Sequence, residues 1–128
     1  MTDETRVYYL RIALIAVGLI ALFGLYPLFL FWPSGWAWGH GHSHYFMMIV
    51  GIYATLGVFL LLASRDPLAH RSLIWFAVWS SVVHGGIMAA QAVNDPMERG
   101  HLIGDAPALF IIAVVLAVLM PKKTAVTV

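Results

Sequence analysis

The sequence has 128 residues, of which 62% are hydrophobic and 10% charged, with a net charge of +1 and no cysteine. Soluble domains carry roughly a quarter charged residues. A chain this short has too little interior to hide so much apolar surface from water. A lipid bilayer is therefore the expected partner for most of it. The balanced charge excludes a phosphate-neutralising patch and with it nucleic acid; the lack of cysteine excludes disulfides, thiolate metal sites and cysteine nucleophiles.

The first apolar run, Val7 to Trp32, is longer than the roughly 7–15 residues of a signal-peptide core and ends in Phe31-Trp32-Pro33, not at a small-residue cleavage site. It is expected to be a retained helix spanning about residues 7–31. Arg11 lies one turn in, able to snorkel to the headgroups, and Pro27 predicts a kink. Three tryptophans between Trp32 and Gly39 mark an interfacial loop, which runs into Gly39-His40-Gly41-His42-Ser43-His44. The second span is predicted over 45–63, followed by the polar turn Ser64–Arg71. The third is predicted over 72–93, followed by Asn94–Gly100.

The fourth span is predicted over 101–120. Its clearly apolar part, Ala106 to Met120, falls short of the roughly 20 residues a bilayer needs. Either the helix begins near His101 and tolerates Pro107, or Asp105 caps it with Pro107 in the first turn. The expected fold class is all-α, an integral membrane four-helix bundle. With no internal repeat or linker, residues 1–128 are expected to form a single transmembrane domain.

Basic residues suggest an orientation. Arg6, Arg11, Arg65, Arg71, Lys122 and Lys123 gather on one side of this four-span topology, and Arg99 alone falls on the other. The positive-inside rule then places both termini in the cytoplasm. The Trp/His loop and the Asp95–Glu98 loop face outward, to the periplasm in a Gram-negative host.

Five of the six histidines fall on the outer side: His40, His42, His44, His84 and His101. His84 lies nine residues before Val93, roughly 13 Å below the end of its span. His70 is cytoplasmic and expected to be simply interfacial. His44 with Met48, His84 with Met88, and His101 with Asp105 are each four apart and so share a helix face. Imidazole with thioether suits copper; imidazole with carboxylate suits zinc, iron or Cu(II). Gly39–His44 also has the form of a short metal-binding histidine tract. A histidine within a span is costly unless it faces the interior and finds a partner. For His84 that partner is either a ligand or a hydrogen-bonding side chain such as Ser80, Ser81 or Asp105. Alternatively, His84 with His44 or His101 would hold haem b.

The structural readings stand beside these. Met47, Met48 and Met88 fit simple packing, Asp105 fits a helix cap, and Asp95 and Glu98 fit solvated loop charges. Zincin, nucleophile-elbow and phosphate-loop motifs are absent, and no midplane acid or inverted repeat points to transport. Gly51, Ala54 and Gly57 in the second span, with Gly85, Gly86, Ala89 and Ala90 in the third, predict close helix contacts.

The segment Ile52–Pro67, the run His70-Arg71-Ser72-Leu73-Ile74, the run Trp79–His84 and the run Glu98-Arg99-Gly100-His101-Leu102 resemble a family of small bacterial four-helix inner-membrane proteins. That family has no assigned function and is distantly similar to the DoxX-like membrane proteins. The resemblance covers roughly Tyr45 to Ala113. It implies a bacterial inner-membrane protein with His84 and His101 in matching positions, and no mechanism; the Trp36–His44 loop is longer and richer in histidine than the family pattern. Two functional readings follow from the residues. One is a membrane module binding copper, zinc, iron or haem through His44, His84 and His101. The other is an accessory subunit of a larger membrane complex, or a homo-oligomer, with no chemistry of its own.

Overall fold

The computed structural model describes residues 1–38 and 44–123, and every regular element among them is helical. The first long helix, α1, runs over Asp3–Phe31. Thr2 starts it: its hydroxyl accepts the Thr5 N–H at 3.2 Å, and Asp3 and Glu4 occupy the first turn, where the helix dipole favours acids. The irregularity expected at Pro27 lies one turn earlier, in a π-helical turn at Ile20–Gly24. Proline brings no N–H to the preceding turn, and a locally widened ring is one way a helix absorbs that mismatch.

A short helix follows, α2 (Pro33–Trp36), with proline at its start. The remaining long helices are α3 (His44–Ala63), α4 (Arg71–Asn94) and α5 (Asp105–Leu119). Asp-Pro pairs open the connections before α4 and α5. Asp66 accepts the Ala69 N–H at 3.3 Å and Asp95 accepts the Met97 N–H at 2.9 Å, starting 3-10 helices at Pro67–His70 and Pro96–Ile103. The fourth span thus takes the later of its two expected α-helical starts, with one correction. Gly104 is the cap residue and Asp105 the first helical residue, so the Asp105 carboxylate does not cap the helix.

Four segments are long and apolar enough to cross a membrane: Asp3–Phe31, His44–Ala63, Pro67–Asn94 and Pro96–Leu119. Large apolar side chains such as Phe23, Phe76, Trp79 and Ile111 stand exposed around the outside, compatible with lipid contact. Inside, α1 lies along α3 and meets α5, α5 lies along α4, and of these neighbouring pairs α3 and α4 make the slightest contact. A backbone-to-backbone contact joins α1 to α3: a Cβ on Gly57 would sit 2.6 Å from the Gly18 carbonyl oxygen. Gly85 packs on Leu109 and Phe110, whereas Gly51 and Gly86 face open space and mark no helix contact.

The buried core is concentrated toward one end, in Leu10, Leu14, Leu60, Ala63, Ile74, Val78, Leu116 and Met120. The basic residues tie the same end together. Arg6 donates to the Val118 carbonyl at 3.3 Å and Arg71 to the Pro121 carbonyl at 2.8 Å, where the last turn of α5 leaves acceptors without N–H partners. The opposite end holds α2, the Pro96–Ile103 helix and the candidate site.

Candidate functional site

At that end, α2 and the Pro96–Ile103 helix meet backbone against backbone. A Cβ on Gly100 would collide with the Ser34 carbonyl oxygen, and one on Gly104 with the Gly35 carbonyl oxygen. Only glycine leaves room for this approach, which brings Ala37 and Trp38 over His101. His101 is 1% exposed. Its Nδ1 lies 2.8 Å from Asp105 Oδ1, and its Nε2 faces the Ala37 carbonyl oxygen at 2.9 Å and Glu98 Oε2 at 3.1 Å. The Trp38 ring stacks on the imidazole, with centroids 3.8 Å apart and planes inclined by 22°. The same Trp38 donates its indole N–H to Asp105 Oδ2 at 2.8 Å.

Every polar atom of the His101–Asp105 pair is therefore engaged. Each ring nitrogen faces oxygen: Nδ1 that of Asp105, and Nε2 those of Ala37 and Glu98. A histidine that ligates a metal needs one nitrogen lone pair aimed at the ion while the other nitrogen donates. Neither nitrogen of His101 is free for that.

Beside this knot lies a cavity of about 730 Å³, lined by residues from all four spans. Val17, Ala21, Leu56, Leu60, Ala77 and Ile112 form its apolar wall; Trp36, Trp38, Tyr53, Ser81, His84, Gln91 and Asp105 bring polar atoms to it. The expected hydrogen-bonding partners of His84 were Ser80, Ser81 or Asp105. Its partner is Tyr53 of α3, whose hydroxyl is hydrogen-bonded to His84 Nδ1, while Ser80 donates to the Ala77 carbonyl of its own helix. A hydroxyl and an imidazole within apolar spans thus satisfy one another across α3 and α4.

The sequence-predicted residues divide into three groups. His84, Met88 and Asp105 line the one cavity. His101 stands behind Asp105, bonded to it but not lining the cavity. His44 and Met48 are exposed on α3 and do not line the cavity, so His44 does not converge with His84 and His101. His40 and His42 lie outside the described residues. Among the described residues no group of three or more His, Cys, Asp or Glu is arranged to hold a metal ion. His70 is exposed, with Nδ1 on the Asp66 carbonyl oxygen.

Glu98 is corrected from a solvated charge to a partly buried one, because the 3-10 helix sets it against His101. Asp95 is exposed and serves to start that helix. Sequence reasoning missed Trp38 and Tyr53. A signal existed for Tyr53, since the only hydroxyphenyl group deep in the second span needs a partner at its own depth. Tyr53 is nine residues from His44 and His84 ten from Asn94, roughly 13 and 15 Å from the same end of the bundle.

No curated protein and no solved structure matches the chain. A family model matches residues 5–127, and the chain belongs to that family, DUF6632, a family of unknown function.

Proposed function

We propose that the chain is a multi-pass protein of a bacterial inner membrane, with both termini cytoplasmic, and that its outer half is a binding site for a small molecule soluble in the bilayer. Four long apolar helices and the cluster of basic residues at one end support the membrane reading and its orientation. One observation carries the binding reading. A cavity of about 730 Å³ draws its wall from all four spans and holds the Tyr53–His84 pair within that wall. Small-molecule sites of roughly 300–1,000 Å³ have this character: an apolar lining with a few polar groups that fix orientation.

A second reading keeps the same cavity and changes its occupant. His84, Met88 and Asp105 share it, and imidazole, thioether and carboxylate together suit copper, zinc or iron, with haem b as the larger alternative. Asp105 fits this less well, because both its oxygens are already engaged in hydrogen bonds, Oδ2 with Trp38 and Oδ1 with His101.

Purification of the untagged protein in mild detergent separates the two. The visible spectrum, metal content and native mass are measured for the wild type, His84→Ala, and Ala108→Phe, which fills the cavity from α5. A retained apolar molecule, released by Ala108→Phe and accompanied by no stoichiometric metal, is the expected result. A Soret band, or stoichiometric copper, zinc or iron lost in His84→Ala, would replace it with the ion or haem reading.

A further inference from the structure

One hydroxyl in the cavity wall departs from the pattern of the others. Thr55, Ser64 and Ser80 each donate to a backbone carbonyl three or four residues back, at 2.9, 2.6 and 3.3 Å, the usual arrangement for a helical hydroxyl away from water. Ser81, beside Ser80 on α4, is 8% exposed and lines the cavity. Among the described residues its hydroxyl has no hydrogen-bond partner, which is rare for a buried polar group. The hydroxyl is not sealed. Among the described residues that are not exposed, the one partnerless side-chain nitrogen or oxygen lacking accessible surface is Trp36 Nε1. Ser81 Oγ therefore keeps accessible surface, on a side chain that borders the cavity. Ser81 also stands near the middle of the Arg71–Asn94 helix, roughly 15 and 20 Å from its two ends. Hydrocarbon at that depth offers no donor or acceptor, so a partner has to come through the cavity.

His84 lies one turn further along α4 on the same face, its Cβ roughly 5–6 Å from that of Ser81. It is partly buried and lines the cavity, and its Nδ1 is hydrogen-bonded to the Tyr53 hydroxyl. Nε2 has no partner among the described residues and, by the same reasoning, keeps accessible surface. If Tyr53 donates to Nδ1, Nε2 carries the imidazole N–H; if Nδ1 donates to Tyr53, Nε2 is an acceptor. The rest of the wall sets the charge of an occupant. No lysine or arginine lines the cavity, and the oxygens of its one acid, Asp105, are engaged by His101 and Trp38. An anion finds no counter-charge there and a cation no free carboxylate oxygen. The way in is sideways. Tyr45 of α3 and Ile87 of α4 line the cavity yet stand exposed, and the contact between α3 and α4 is slight.

We propose that the cavity takes an uncharged, bilayer-soluble alcohol, its hydroxyl bridging Ser81 Oγ and His84 Nε2 and its hydrocarbon body lying along the apolar wall. This rests on the cavity being a binding site and adds the class of its ligand. A hydroxyl suits the pair in either state of His84. It donates to a bare Nε2 while accepting from Ser81, or accepts from Nε2–H while donating to Ser81. An ether oxygen can only accept and serves one state alone. The wall is apolar on both sides of the pair, at Ala77 one turn before Ser81 and at Met88 one turn after His84, so the hydroxyl sits within the molecule and not at its tip. The alcohol enters between α3 and α4.

The test uses four probes of equal chain length: a long-chain secondary alcohol, its methyl ether, the alkane and the corresponding amine. Binding to the detergent-solubilised full chain is read by displacement of an apolar environment-sensitive dye, at equal mole fraction of probe in the micelle. The ring nitrogens are followed in protein labelled with ¹⁵N-histidine, with the His84 resonances assigned by their loss in His84→Phe. The alcohol is expected to bind about tenfold more tightly than the alkane, the value of one buried hydrogen bond, and more tightly than the ether or the amine. It should move the His84 Nε2 resonance and leave those of His70, exposed in the Pro67–His70 turn, in place. Ser81→Ala should remove most of the alcohol's advantage and leave alkane binding unchanged. Equal binding of alcohol and alkane, a preference for ether or amine, or an unmoved His84 resonance would overturn the ligand class and leave the binding cavity standing. Binding of none of the four would overturn the cavity reading itself.

Discussion

His101 and His84, both in segments long and apolar enough to cross a membrane, are in opposite situations. His101 is sealed in: stacked under Trp38, with both nitrogens facing acceptors and its carboxylate partner Asp105 fully occupied. Among the described residues His84 has one hydrogen-bond partner, Tyr53, and it also lines the cavity. Burial of an ionisable group within a span is thus not itself a mark of function. The mark is what remains unsatisfied after the protein's own partners are counted. By that criterion His101 belongs to the architecture of the bundle's α2 end and His84 to the candidate site.

Substitutions that alter one region and spare the other test this contrast, read by thermal and denaturant unfolding of the helical signal in detergent. The largest loss is expected for His101→Ala, about 3–5 kcal/mol, because Asp105 and the Ala37 carbonyl are left buried without their donor. Gly104→Ala follows at about 2–3 kcal/mol, since the added methyl meets the Gly35 backbone and no flexible side chain can yield. Trp38→Phe keeps the stacked ring but removes the N–H to Asp105, for a loss of about 1–2 kcal/mol. Tyr53→Phe is the smallest, below about 1 kcal/mol, because His84 borders a cavity that can supply another partner. A loss for Tyr53→Phe equal to that for His101→Ala would erase the distinction.

The spans were legible because length and apolarity alone define them, and the observed long helices fall within a few residues of those expected. The start of α5 was ambiguous because the preceding segment has neither the composition of a span nor that of a loop. Asp95-Pro96 begins a 3-10 helix there, and Gly104 ends it. The spacing of His101 and Asp105 placed them on one face, and they do meet there, although the chain breaks its helix between them. Their other partners were not legible. Trp38 reaches Asp105 from 67 residues away, through a glycine-on-backbone approach that no local pattern encodes. His44 failed to join the inner histidines because it sits on an exposed face of α3, and helical spacing within one segment says nothing about how that segment is rotated against its neighbours.

The central claim is that the bundle holds a binding cavity reachable from its lipid-facing side. The chain has no cysteine, so single cysteines report cleanly. Ser81, 8% exposed, lines the cavity, whereas Val78, one turn earlier on α4 and 4% exposed, lies in the packed core and does not line it. The deciding measurement is the rate at which a membrane-soluble maleimide labels Ser81→Cys and Val78→Cys in native membranes. Rapid labelling of Ser81→Cys, slowed when the cavity is filled by Ala108→Phe, with Val78→Cys unreactive, is the expected result. Equal protection of the two cysteines would contradict it.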